Sequence, residues 1–195
     1  MKHLAISRKK RSDALPLLVH CFTSHCTTLA LRGRGERGER GEMSFEESLK
    51  HGGFGEHAIW NMFSKMKTVR SVVDVRDDKV FQEKDVDFLV ENMDRQFIWV
   101  EVKTDFVGHK SGNIVYELTT SGHTGCFEKT QAKYIVYYFP HAETAHLIDV
   151  KKLRNYIYEA QPNLIKMGDN AEGFLLPITD LQKQKVIVRT MKGVI

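Results

Sequence analysis

Hydrophobic and polar residues alternate in a regular way only from about residue 43 onward, and the first regular stretch predicts a helix. Residues 54–67 place apolar side chains three and four positions apart, which is the period of one helix face. The apolar positions are Ala58, Ile59, Met62, Phe63 and Met66. Glycines at positions 52, 53 and 55 directly precede most of this run, so we expect them to mark the helix start, with Ser44 as a candidate N-cap upstream.

Strands are predicted where short runs of β-branched and aromatic residues stand between polar turns. These runs are residues 68–75, 86–90, 97–102, 113–119, 134–139, 144–148 and 174–178. The polar turn 91–96 joins the second and third runs into a predicted hairpin. Helices are expected at 126–133, after the loop 120–125, and from the N-cap Asp149 through Ala160, with a short segment begun by Thr179 or Asp180. This order predicts an α/β fold with a mixed central β-sheet flanked by helices.

The run 97–103 contains the most informative pattern in the chain. The strand period of two places Phe97, Trp99, Glu101 and Lys103 on one face, and Ile98, Val100 and Val102 on the other. Both faces are apolar along most of the run, which is typical of a central strand covered on both sides. A charged glutamate and lysine in such a strand carry a desolvation cost of several kcal/mol unless a partner compensates them.

A bound divalent cation is one such partner for the Glu101 carboxylate. Asp87 lies on the preceding strand of the predicted hairpin, so its carboxylate can approach that of Glu101. Oxygen ligands with open positions for water and phosphate favour Mg²⁺ or Mn²⁺. Lys103 would then position the attacking water or stabilise the developing charge. Glu56, on the leading helix, can supply a third carboxylate, and Asp85 is an alternative to Asp87, which we prefer because an apolar run follows it.

These residues resemble the hallmark of a known nuclease superfamily. Asp87-Phe-Leu-Val, ten residues, and then Glu101-Val-Lys103 resembles the signature of the PD-(D/E)xK nucleases, which include restriction enzymes and Holliday-junction resolvases. The resemblance covers roughly residues 56–139 and implies a restriction-endonuclease-like core. It also implies that Glu56 matches an acid of the first helix, and that Gln131 or Lys129, on the helix after the loop, assists the site. Val86 stands where the signature has proline.

Other polar residues have two interpretations each. The loop residues Thr119, Thr120, Ser121 and His123 can contact a phosphate, although a loop of this composition is more often only a connection. Glu117, on an alternating strand, faces either the acids or the solvent. Lys151, Lys152 and Arg154 are expected to form a solvated helix face, with a patch that contacts the nucleic-acid backbone as the alternative.

The first 42 residues differ in composition from the rest. They end in a low-complexity run of Arg, Gly and Glu, which cannot build a core, so we expect residues 1–42 to be a disordered leader and residues 43–195 to form a single domain. Because all three residue types can have purine-only codons, the run resembles a translated ribosome-binding stretch, and Met43 is the hypothesised native start. This leader contains nine Lys/Arg against four acids, which leaves 20 basic and 21 acidic residues for the remainder. Net charge is therefore no argument for a polyanionic partner.

The sequence as a whole predicts a metal-dependent nuclease, either an endonuclease or an exonuclease, that acts on DNA rather than RNA. The alternative is a catalytically inactive nucleic-acid-binding or assembly module that retains the nuclease fold. Three cysteines without a pairing pattern indicate a reducing, cytoplasmic compartment, and no apolar run is long enough to span a membrane. A small phage or bacterial protein is expected, and a homodimer stays open.

Overall fold

The computed structural model describes residues 45–167 and 171–195, with side chains from residue 53 onward. The predictions for residues 1–42 and for Ser44 lie outside this part of the chain. The helices are α1 (Phe45–Ser64), α2 (Lys79–Gln82), α3 (Cys126–Lys129), α4 (Val150–Ala160) and α5 (Ile178–Lys183). The strands are β1 (Val69–Asp74), β2 (Phe88–Asn92), β3 (Phe97–Thr104), β4 (Asn113–Thr120), β5 (His123–Thr124), β6 (Tyr134–Phe139), β7 (Thr144–Asp149), β8 (Ile165–Lys166), β9 (Ala171–Pro177) and β10 (Ile187–Lys192).

Six strands form the central sheet, in the order β1-β2-β3-β6-β7-β10. β2 and β3 are an antiparallel hairpin, as predicted, whereas β3 and β6 run parallel, with Glu101 opposite Ile135. The remaining pairs in this sheet are antiparallel, so the sheet is mixed. The predicted α/β class with a mixed central sheet flanked by helices is confirmed, and β3 lies in the interior of the sheet as its two apolar faces indicated.

Helix α1 covers one face of the central sheet. Ala58, Ile59 and Phe63 pack there against Val100 and Val102 of β3. The prediction that the glycines mark the helix start is wrong, because α1 begins at Phe45 and runs through them. A glycine stands at position 55 because α1 packs closely on β3, where a Cβ atom on this residue would overlap the side chain of Thr104.

The opposite face of the central sheet is covered by a second sheet, which the sequence pattern did not predict. β4 pairs with β9 in a four-stranded antiparallel sheet of order β5-β4-β9-β8. Its Ile114 and Tyr116 join the core with Ile135 and Tyr137 of β6 and with Leu153 of α4. The predicted N-cap of α4 is confirmed, because the Asp149 side chain accepts a hydrogen bond from the Lys152 N–H at 3.0 Å.

Helix α3 is shorter than predicted and ends at Lys129. The chain turns at Thr130, whose hydroxyl donates to the Asp85 carbonyl at 2.7 Å, while the Gln131 N–H donates to the Lys84 carbonyl at 2.8 Å. These bonds draw residues 130–131 to the turn before Asp87 and end the helix. Gln131 therefore lies beyond α3 and is exposed.

Arg154 of α4 does not lie on a solvated face as expected. Its guanidinium donates to the carbonyls of Phe127, Glu128 and Thr130, at distances between 2.8 and 3.2 Å. It therefore ties α4 to the end of α3. None of the helices within residues 45–167 and 171–195 is long and apolar enough to cross a membrane.

Candidate active site

Asp87 directly precedes β2 and is fixed by hydrogen bonds to the strands on both sides. Its N–H donates to the Val100 carbonyl at 2.9 Å, and its carbonyl accepts from the Val75 N–H at 3.0 Å. Its Oδ2 accepts from the Val102 N–H at 2.7 Å. Because these contacts reach residues 100 and 102 of β3, the Asp87 carboxylate lies beside the segment of β3 that carries Glu101.

Glu101 and Lys103 share one face of β3 and form a buried ion pair. The two residues are 5% and 9% exposed, and Lys103 Nζ lies 2.6 Å from Glu101 Oε1. The face that they share is the one covered by the second sheet and α3, where Ile135 and Tyr137 occupy the matching positions of β6. The lysine therefore neutralises one carboxylate inside a poorly hydrated space.

The protonation equilibria of these groups reflect crowding of negative charge. Burial raises the pKa of Asp87 well above its ordinary value, and repulsion from Glu101 and Glu56 raises it further, with Lys103 and the Val102 N–H acting in the opposite direction. Burial also raises the pKa of Glu101, and Lys103 offsets this only in part. The site therefore favours a bound proton or a cation at these carboxylates.

Lys103 retains its own proton despite its burial. Burial by itself lowers the pKa of a lysine, but the Glu101 and Asp87 carboxylates act in the opposite direction and hold the pKa of Lys103 well above its usual range. The Cys126 thiol is buried, which raises its pKa to about 12 and makes it an inert neighbour. Lys103 is therefore the permanent positive charge of the site.

The donor set fits a hard divalent cation. Asp87 and Glu101 supply carboxylate oxygens from adjoining positions of the hairpin, and the Oδ2 atom of Asp85 is buried without a hydrogen-bond partner within the described residues. No three His, Cys, Asp or Glu side chains converge as a complete ligand set in residues 45–167 and 171–195. Mg²⁺ accepts one or two protein carboxylates and completes its shell with water and substrate phosphate, so two acids suffice for it.

Glu56 lies near this pair but is bound by a cation of its own. Its carboxylate raises the pKa of both Asp87 and Glu101, and the preceding residue, Gly55, packs against Thr104 at the end of β3. Arg76 Nη1 donates to Glu56 Oε2, and the same guanidinium holds Asp74 through Nη2 at 2.5 Å. The role of Glu56 as a third metal ligand stays a prediction.

Asp85, the alternative to Asp87, lies in a different setting. Its backbone is left-handed at φ 47°, and its Oδ1 accepts from Lys129 Nζ at 2.8 Å. Asp85 contributes to the raised pKa of Glu101, so it belongs to the same electrostatic environment. The structure thus brings Lys129 to the site through Asp85, while Asp87 is the aspartate held against β3.

The structure places the other predicted substrate contacts on elements outside the hairpin of β2 and β3. Thr119 lies on β4, opposite Thr124 and Glu172, in the second sheet. Gln131 is exposed beyond the end of α3. The roles of Thr119, Gln131 and Lys129 in binding substrate stay predictions.

The sequence pattern did not indicate Arg76, and it left the orientation of Glu117 open. Arg76 follows β1 in a polar turn, and nothing in its spacing distinguishes it from an ordinary surface arginine. Glu117 was left open between the site and the solvent, and it is 4% exposed, with a pKa that burial raises to about 7 against a weaker opposing effect of the Thr120 hydroxyl. It also raises the pKa of Cys126, which neighbours Lys103, so it faces the interior.

Comparison with known proteins gives a limited result. No family model and no curated protein matches the chain. Among solved structures it is similar to a bacterial homing endonuclease, at 17% identity and a TM-score of 0.42 over 55% of this chain and 72% of that one. It is also similar to a nuclease from a fusselovirus, at 11% identity and a TM-score of 0.35 over 74% and 89%. Likeness at this level carries no argument about function, which therefore depends on the geometry of the site.

Proposed function

We propose that this protein is a metal-dependent nuclease that hydrolyses phosphodiester bonds of nucleic acid, with DNA as the expected substrate from the PD-(D/E)xK resemblance. Asp87 and Glu101 would hold Mg²⁺ or Mn²⁺, and Lys103 would act on the reacting phosphate. The observation that carries the proposal is that a buried carboxylate, Glu101, and a half-buried one, Asp87, lie beside one lysine in the central hairpin, where each carboxyl has a raised pKa.

The charge balance of the site supports a cation. Lys103 neutralises Glu101 through a 2.6 Å contact, but the Asp87 carboxylate has only the Val102 N–H as a direct partner among its described contacts. A partly desolvated carboxylate without a full counter-charge costs free energy, and a bound divalent cation would remove this cost. When bound, such an ion polarises a phosphate oxygen and lowers the pKa of a water molecule.

The protein's own groups have defined tasks in this proposal. Lys103 remains protonated, and the ion pair with Glu101 fixes the direction of its Nζ, so its remaining N–H groups can donate to a phosphate oxygen or to the attacking water. The Val102 N–H orients the Asp87 carboxylate, which leaves Oδ1 for the cation. Glu56 and Arg76 border the same carboxylates and can tune the charge there.

The test is nucleic-acid cleavage by matched lysine variants. Supercoiled plasmid, linear DNA and single-stranded RNA are incubated with the full chain in Mg²⁺, Mn²⁺ or EDTA. Lys103→Met, which keeps the length of a buried side chain, is expected to lower the cleavage rate about 100-fold or more, since it removes a charge that acts on the transition state. Lys151→Met, at an exposed position of α4, is the control and is expected to cleave like the wild type.

Three results would contradict the proposal. Cleavage that persists in EDTA argues against a metal-dependent reaction, and an unimpaired Lys103→Met variant with native circular dichroism argues against the assigned site. Binding of nucleic acid without cleavage under any of these conditions favours the alternative, a catalytically inactive binding module.

A further inference from the structure

Arg76 joins two carboxylates at the border of the candidate site. Its Nη1 donates to Glu56 Oε2, its Nε donates to Asp74 Oδ1 at 2.9 Å, and its Nη2 donates to Asp74 Oδ2 at 2.5 Å. The Arg76 N–H also donates to Asp74 Oδ1 at 3.1 Å. Asp74 thus holds one edge of the planar guanidinium, and Glu56 takes the other.

Aromatic packing keeps this guanidinium next to the acids. The Arg76 Cζ atom lies 5.5 Å from the centre of the Phe88 ring, and Phe88 is the residue after Asp87. Phe88 is fully buried, so the ring offers a rigid surface. The Arg76 side chain is 34% exposed, so it reaches from solvent to the border of the site.

Glu56 links this group to the proposed metal ligands. It raises the pKa of both Asp87 and Glu101, although Arg76 is already bound to it. Gly55, the residue before Glu56, packs against Thr104, the residue after Lys103, so Glu56 lies beside the end of β3 that carries Glu101 and Lys103. Its Oε2 atom, however, is occupied by an arginine that cannot lose its charge.

We propose that Arg76 is a positioning residue that competes with the divalent cation for the Glu56 carboxylate. The inference rests on the proposed function, because it presupposes a cation at Asp87 and Glu101. The arginine stabilises Glu56 when the cation is absent and weakens the binding of the cation when it is present. Asp74 keeps the guanidinium oriented toward Glu56, because it binds Nε and Nη2 and leaves Nη1 for the Glu56 carboxylate.

The experiment measures Mn²⁺ binding by the full chain without nucleic acid, from the electron paramagnetic resonance signal of free Mn²⁺. Arg76→Ala is expected to tighten Mn²⁺ binding about fivefold to tenfold, because Glu56 is released to the cation. Glu56→Gln is expected to weaken it. In the double variant the Arg76→Ala change is expected to have no further effect, since the group that it acts on is gone.

The control separates this specific competition from a general effect of charge. Arg70→Ala removes the same charge from β1 at the end where Arg70 pairs with Glu91, and is expected to change the dissociation constant less than twofold. Arg76→Gln, which removes the charge but shortens the side chain less, replaces Arg76→Ala if that variant loses its native circular dichroism.

The outcomes distinguish the inference from the proposed function. The competition is refuted if the wild type binds Mn²⁺ and Arg76→Ala does not tighten that binding. It is also refuted if Arg76→Ala tightens Mn²⁺ binding by the same factor in the Glu56→Gln background. In both cases the nuclease proposal stands. If the wild type does not bind and Arg76→Ala does, the competition is supported in its strongest form. If no variant binds Mn²⁺, the metal-dependent function fails, and the competition fails with it.

Discussion

At Asp87 a carboxylate is held in place by the Val102 N–H while burial and the Glu101 carboxylate raise its pKa. The backbone bond gives the side chain one orientation, and the repulsion gives its ionised form a high free energy. This combination is frequent at functional sites, where ionisable groups with shifted pKa values are kept at a cost in stability. The stability of the metal-free protein should therefore improve when this charge is removed.

Asp87→Asn tests this prediction, because the amide oxygen can still accept from Val102 while the charge is lost. The raised pKa means that the ionised form destabilises the folded state increasingly as pH rises above the ordinary aspartate value near 3.9. We expect the variant to be more stable than the wild type at pH 8, by about 1.4 kcal/mol for each unit by which the pKa is raised, and to gain less at pH 5. Urea denaturation in EDTA at both pH values measures this, and a variant that is less stable at pH 8 would refute it.

The sequence identified the acids and the lysine because a strand has a strict period. Glu101 and Lys103 had to share a face of β3, and the hairpin had to bring Asp87 beside them. Arg76 and Glu117 could not be identified in this way. Their significance depends on Glu56, which is 20 residues from Arg76, and on the interior position of β4, neither of which has a local pattern.

Among the elements, α1 shows how a glycine can serve packing rather than helix termination. Gly55 allows α1 to approach β3 so closely that a Cβ atom would overlap Thr104, whereas a Cβ atom on Gly53 would meet nothing within 4 Å. Both are interior to the same helix, and they differ only in what they face. Alanine substitutions at Gly53 and Gly55 therefore separate the effect of helix propensity on stability from the effect of packing.

Gly53→Ala is expected to stabilise the protein by about 0.5–1 kcal/mol, because alanine restricts the unfolded chain and no neighbour obstructs it. Gly55→Ala is expected to destabilise it by about 1–3 kcal/mol through overpacking against Thr104. Thermal and urea unfolding measure both changes. Part of the stability lost in Gly55→Ala should be recovered when Thr104 is also changed to alanine. Equal effects of the two glycine substitutions would show that close packing on β3 does not explain the glycine at position 55.

At the scale of the whole molecule, His146 links the stability of the central sheet to pH. It is a buried residue of β7, and its Nδ1 lies 3.0 Å from the Thr190 hydroxyl of β10. Burial lowers the pKa of His146. The unfolded chain therefore takes up a proton on this histidine more readily than the folded one, so stability should fall as pH falls through about 6.5.

The measurement is the free energy of unfolding at pH 7.5 and pH 5.5 for the wild type and His146→Gln. The wild type is expected to lose more stability on acidification than the variant. The comparison is needed because the raised pKa values of Asp87 and Glu101 produce the opposite slope in both proteins. His57→Gln, at an exposed position of α1, is the matched control, and equal pH dependence in wild type and His146→Gln would contradict the prediction.

The sequence by itself determined the elements whose signals are local. Five strands of the central sheet, all but β10, follow from side-chain period, as the hairpin of β2 and β3 follows from turn composition and the N-cap at Asp149 from capping chemistry. These signals act over a few neighbouring residues. The buried position of Glu101 and Lys103 followed in the same way from the apolar residues on both faces of β3.

Tertiary structure alone decided the rest. The pairing of β4 with β9 joins residues more than 50 positions apart, and the end of α3 depends on bonds between Thr130 and Asp85, which are 45 apart. The ion pair between Arg76 and Glu56 and the close packing of Gly55 on Thr104 likewise depend on which surfaces meet after the chain has folded. A periodic pattern specifies which side of an element is apolar, but the free energy that selects its partner comes from contacts between distant segments, and these have no signature within either segment.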